Sequence, residues 1–120
     1  MPAKRSRANQ AKREPVTWDM VRKLALDLPG AEEGMSYGTP AIKIFKKLMI
    51  RLREDGEAFA LACDFDEREL LMTEQPEIFY ITDHYLKYPW VLVRLAAVRS
   101  DQLNDLFQRA WRRAAPKGRS

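Results

Sequence analysis

The side chains of this 120-residue chain that could do chemistry are few. They are one histidine, His84, one cysteine, Cys63, a run of cations from Lys43 to Arg53, and the aromatic residues between Tyr80 and Trp90. A histidine works as a general base only with a nucleophile or an orienting partner at hydrogen-bond range. The sequence around His84 supplies Asp83, Tyr80, Tyr85 and Tyr88, a setting that fits a histidine bonded to turn backbone better than a catalytic one. Tyr80, His84, Tyr85, Tyr88 and Trp90 together make a candidate binding segment for a small ligand or a protein. In that segment Trp90 could stack on a base, but a tryptophan opening a strand is expected to anchor the core, as Trp18 and Trp111 are on their helices. Cys63 lies in an alternating apolar run and reads as a small core residue. One cysteine and one histidine cannot furnish an ordinary zinc site. Asp64 to Glu69 lacks the glycine that a calcium loop needs at its sixth position. Gly30, Gly34 and Gly38 leave a helix and enter strands, the reverse of a phosphate-cradling loop. The expectation is a non-enzymatic chain without a metal, cofactor or catalytic residue.

The cations Lys43, Lys46, Lys47, Arg51 and Arg53 sit on or between two strand-like runs. Successive strand residues point to opposite faces. Lys43 therefore opposes Ile42 and Ile44, and Arg51 and Arg53 oppose Ile50 and Leu52. This predicts a basic strip on the solvent face of a hairpin, able to contact phosphates. The competing reading is an ordinary solvated face with lysines guarding an edge.

The elements that must position these groups follow from periodicity and turn chemistry. Thr17 caps a helix over 18–28 whose apolar face is Val21, Leu24, Ala25 and Leu28, and Pro29-Gly30 stops it. Residues 31–40 read as a loop or a short edge strand. Ala41 to Phe45, Leu48 to Arg53 and Ala58 to Cys63 read as strands, with Asp55-Gly56 a hairpin turn. Asp66 to Glu69 starts a short helix that ends before Pro76. Ile78 to Ile81 is strand-like, His84 to Pro89 a loop, and Trp90 to Ala96 a strand. Ser100 or Asp101 caps a last helix bearing Leu103, Leu106, Phe107, Ala110 and Trp111. Hairpin-length links favour an antiparallel sheet, with the terminal helices covering its single buried face in a two-layer α+β fold.

Charge is unevenly placed. The net charge is +4, yet residues 15–108 hold 11 Lys/Arg against 16 Asp/Glu. The positive excess sits in residues 1–14 and 109–120. A basic pI here describes the ends of the chain rather than its body. Residues 1–15 are too poor in apolar content to offset their ordering entropy and read as a disordered basic arm, with a short tail at 116–120. A lone cysteine rules out an intrachain disulfide, and no apolar run approaches the roughly 20 residues of a membrane span. The basic N-terminus has no apolar segment behind it and does not read as a signal peptide. The location expected is cytoplasmic, with no membrane partner.

Several stretches together resemble the MmcQ/YjbR family. Leu28-Pro29-Gly30-Ala31-Glu32-Glu33, Ser36-Tyr37-Gly38-Thr39-Pro40-Ala41 and Lys47-Leu48-Met49 are similar to its front half. Thr82-Asp83-His84-Tyr85 and Tyr88-Pro89-Trp90-Val91-Leu92-Val93-Arg94-Leu95 carry the most specific likeness, and Asp101 to Arg112 is similar to its closing helix. The resemblance covers about 17–115 and implies one YjbR-like domain over 16–115. It also implies a two-layer α+β fold with an antiparallel sheet, related in shape to secretion-chaperone-like domains. Members are commonly labelled DNA-binding. The resemblance thus implies weak, nonspecific DNA binding through the strand face and basic arms, with a protein or small ligand at segment 80–90 as the alternative. No catalytic residues carry over.

Overall fold

A computed structural model describes residues 16–115; the basic arm and the short tail expected from the sequence lie outside these residues. The described chain runs α1 (Trp18–Leu26), β1 (Ala31–Ser36), β2 (Thr39–Ile44), β3 (Lys47–Leu52), β4 (Ala58–Ala62), α2 (Phe65–Glu74), β5 (Phe79–Tyr80), a 3-10 turn (Asp83–Tyr85), β6 (Trp90–Arg94) and α3 (Ser100–Ala114). The strands form one antiparallel sheet in the order β1-β2-β3-β4-β6-β5. This is the α+β architecture expected from the hairpin-length links.

The core lies on one face of the sheet. Ile42, Ile44, Ile50, Phe59, Leu61, Val91 and Val93 project from the strands against Val21 and Ala25 of α1 and Leu103, Leu106, Phe107 and Ala110 of α3. Phe59 meets Phe107 with ring centroids 6.2 Å apart, near edge-on. α3 presents these four residues on one stripe because they recur at helical spacing. Thr17 caps α1, its hydroxyl accepting from the Met20 amide at 3.3 Å. The other two helices begin slightly before their expected caps. Asp64 caps α2 by accepting from the Glu67 amide at 2.7 Å. The Arg99 amide donates to Gln102 Oε1 at 3.0 Å ahead of α3.

Residues 31–40, expected as a loop or a short edge strand, contain all of β1 and the start of β2, joined by a tight turn at Tyr37-Gly38. Both turn residues have positive φ, 53° and 81°, as a two-residue hairpin of this hand requires. The β2–β3 turn does the same with Phe45 and Lys46, at 49° and 73°. Neither residue is glycine, so this turn is held by its surroundings. Phe45 packs on Trp111 with centroids 6.1 Å apart. It also lies so close to Gly30 (φ 81°) that a Cβ there would stand 2.5 Å from its ring. Trp111 Nε1 donates to the Pro29 carbonyl at 2.7 Å, completing the lock between α3 and the end of the α1–β1 link.

The second face of the sheet is not bare. The register steps from Ile42↔Ile50 to Lys43↔Leu48, leaving Met49 as a bulge residue. A bulge shifts alternation by one. Met49 and Ile50 both enter the core, while Leu48 falls on the second face beside Arg51. Ala41, Ala60 and Leu92 are buried on that second face, outside the main core. Part of the cover over this face comes from the segment between β5 and β6.

Candidate functional site

The segment 82–90 has little regular structure, and an arginine from α2 holds it in place. Arg68 is buried. Its Nη1 donates to the carbonyls of Tyr85 (3.0 Å), Tyr88 (2.8 Å) and Trp90 (3.3 Å), and its Nη2 to that of Leu86 (3.0 Å). Four carbonyls of one loop thus find a donor in a single rigid guanidinium. α2 is in turn tied to α3, where Glu67 Oε1 accepts from Arg113 Nη2 at 2.5 Å.

Held this way, the segment forms one rim of a cleft of about 570 Å³ on the second sheet face. Its rim residues are Thr82, His84, Tyr85, Tyr88 and Trp90; its floor is Leu48, Ala60, Arg51 and Arg53; Tyr37 and Glu54 complete it. Tyr37, carried on the β1–β2 turn, is 86% exposed. Arg51 spans the cleft. Its Nη1 reaches Tyr85 Oη at 3.5 Å, its Nε donates to the Ser36 carbonyl at 3.1 Å, and its guanidinium lies 5.3 Å from the centre of the Tyr37 ring. Nη2 pairs with Glu54 Oε2 at 2.6 Å. The Glu54 carboxyl is held below its ordinary range, first by a backbone hydrogen bond and then by Arg51.

Arg53 differs from Arg51. Its guanidinium lies 6.0 Å from the Tyr85 ring centre, and its Nε and Nη1 are buried without a hydrogen-bond partner. Among the described residues it forms no ion pair. With Arg51 neutralised by Glu54, the cleft floor keeps one uncompensated positive charge.

The structure therefore redistributes the expected site residues. Lys43, Lys46 and Lys47 are exposed, as a solvated strip requires. Arg51 is only 8% exposed and Arg53 is half-buried. Neither belongs to an open basic strip, because the 82–90 segment folds back over their strand. The two separate expectations, a basic hairpin and an aromatic segment, meet in one cleft. Tyr80 is the exception: it lies on the edge strand under Arg94, 4.1 Å from ring centre to guanidinium, away from the cleft. Trp90, expected as a core anchor, is half-buried and forms part of the cleft wall. Its strand alternation puts Val91 and Val93 in the core and Trp90 on the other side. His84 is exposed and makes no hydrogen bond to turn backbone. Its ring stands edge-on to Tyr85, with centroids 5.2 Å apart. Cys63 is buried as expected, and burial, the leading cause, pushes its thiol up to about 12. Arg68, Glu54 and Tyr37 went unread as site residues. For Tyr37 the only signal was a tyrosine in a Tyr-Gly turn, and for Arg68 there was none.

Comparison with known proteins places the chain in a family. The YjbR family model matches residues 26–113. The chain belongs to the YjbR family. The matched span runs from the end of α1 to the last turn of α3, so every cleft residue lies inside the YjbR domain. The domain is similar to the uncharacterized proteins Mb2600 of Mycobacterium bovis and Rv2570 of Mycobacterium tuberculosis, each 35% identical over 68 residues. That match takes in 57% of this chain and 45% of theirs, so the chain spans about half the length of the curated relatives it matches. Its fold is similar to the crystal structure of Deinococcus radiodurans protein DR2400, with its domain DUF419. The TM-score is 0.71 at 22% identity, over 91% of this chain and 86% of that one. At that identity the likeness speaks to fold alone.

Proposed function

We propose that this YjbR domain is a small non-enzymatic binding module and that its site is the cleft under segment 82–90, where it recognises negative charge. The observation that carries this reading is Arg53, whose buried Nε and Nη1 have no acceptor in a cleft with an uncompensated positive charge. Buried donors are nearly always satisfied in native proteins, and an unsatisfied group calls for an explanation. An anion entering the cleft would supply one once the guanidinium turns to meet it, because both nitrogens are covered in the free protein. No nucleophile in the described wall is hydrogen-bonded to a base, which supports binding over chemistry.

The test is thermal unfolding at constant ionic strength with chloride replaced by inorganic phosphate. Phosphate stabilises proteins generally by exclusion from their surface, so the readout is the difference between proteins. A ligand that binds only the native state raises the melting temperature. The wild type should gain more than Arg53→Gln, and equal gains would refute the reading.

A second reading, DNA binding, is supported by the exposed Lys43, Lys46 and Lys47 and by the basic ends of the sequence. It describes electrostatic contact with phosphates and no reading of bases.

A further inference from the structure

Resting on the proposed anion site, we infer that the ligand of the cleft is a planar aromatic anion: a flat ring system carrying one phosphate or carboxylate. The charge is set by the floor, where Arg51 is already paired with Glu54 and Arg53 is not. The ring is set by the walls. Arg51 bridges two aromatic rims, lying 5.3 Å from the Tyr37 ring and 3.5 Å from Tyr85 Oη. Between the rims the floor is Ala60 and Leu48, which leave the sheet surface low and apolar. Tyr37 is 86% and Tyr88 55% exposed. These large ring faces stay in water in the free protein, and a flat ring entering the cleft would cover them. Aromatic faces stack on planar rings with little regard to the ring's identity. A volume of about 570 Å³ suits one such ring with its charged group, since small-molecule pockets run roughly from 300 to 1,000 Å³. Segment 82–90 is tied down by Arg68 and, at its end, by the Cys63 amide, which donates to the Pro89 carbonyl at 3.1 Å, so the wall is ordered before the ligand arrives. That lowers the ordering cost of binding.

Two sources share this chemistry, a nucleoside monophosphate and an aromatic carboxylate. The experiment is amide chemical-shift titration of the full chain with adenosine monophosphate, benzoate, adenosine and inorganic phosphate in parallel. At least one of the first two should move amides near Arg53, Ala60 and 82–90, about tenfold more tightly than adenosine or phosphate alone. Whichever binds names the source. Tyr88→Ala should weaken it about tenfold, the scale of one stacking contact. Arg53→Gln should weaken it at least as much. Tyr88 is largely exposed, so its variant stays informative if the Arg53 variant folds poorly. Phosphate binding as tightly as the aromatic anions, with Tyr88→Ala silent, would overturn the planar ligand and leave the anion site standing. Adenosine binding as tightly as its monophosphate, with Arg53→Gln silent, would overturn both. Shifts confined to Lys43, Lys46 and Lys47, or none at all, would also overturn both.

Discussion

At Arg53, the buried Nε and Nη1 forgo hydrogen bonds that water supplies in the unfolded chain, a loss on the order of 1–3 kcal/mol for a buried unsatisfied group. The ring of Tyr85 returns part of this through cation–π attraction. Replacing the guanidinium by an apolar chain of similar length removes the unmet need. Arg53→Met is therefore expected to raise the stability of the free protein by about 1 kcal/mol in urea unfolding while abolishing anion binding. A destabilised Arg53→Met would mean that the donors are satisfied in solution. Cys63 gives a second test at this scale. Burial raises its thiol to about 12 from an ordinary 9.0. The folded chain then holds a proton that the unfolded chain releases as pH rises above 9.0, so this contribution to stability is present below that value and lost on the way to about 12. At pH 8 the thiol should resist a disulfide reagent until denaturant opens the core. Fast labelling of the native protein would contradict that.

At the scale of elements, the cleft wall depends on α2. Arg68 serves four carbonyls of a segment that joins the sheet at its end, where Trp90 faces Ala62. Arg68→Ala strands these groups, at a cost of about 2–4 kcal/mol after partial rescue by water. Lysine has no planar fork to span them, so Arg68→Lys should recover little. Hydrogen exchange should show amides 85–90 losing protection ahead of the sheet. Uniform loss across the domain would show that the segment and the sheet open as one unit. The β2–β3 turn offers a similar test. Gly30→Ala puts a Cβ against the Phe45 ring at a backbone φ of 81°, and such a change destabilises by more than about 1 kcal/mol. A neutral result would show that Phe45 can leave Trp111 freely.

Across the whole molecule, net charge decides what kind of nucleic-acid binding is open to this domain. The span 15–108 has 16 acids to 11 Lys/Arg, while residues 1–14 hold five Lys/Arg and one acid. Duplex binding should then be weak, salt-dependent and indifferent to sequence. Deleting residues 1–14 should reduce the slope of log affinity against log salt, and reversing Lys43, Lys46 and Lys47 to Glu should reduce it further. Tight binding that persists in high salt and prefers one sequence would instead require base readout, which the strip cannot supply.

How much of this was legible in the sequence depends on the range of the interaction that decides each feature. The α+β class, the helix cap at Thr17, the Asp55-Gly56 turn and the burial of Cys63 are set by local pattern: side-chain period, capping chemistry and turn preference over a few residues. The resemblance in residues 28–41 and 82–95 carried the family. Three features needed tertiary structure. The bulge at Met49 placed Leu48 on the second face, and strict alternation could not show an extra residue. The return of 82–90 over β3 turned Arg51 from a solvent-facing cation into a buried one bridging Tyr37 and Tyr85, residues 14 positions or more away in sequence. Arg68 looked like an ordinary charge in a helix start, because its four acceptors lie 17 to 22 residues further along the chain. Sequence pattern records which face a residue takes. Whether that face meets water or another segment depends on long-range packing, and at this site that packing made one cleft from two stretches that read as separate.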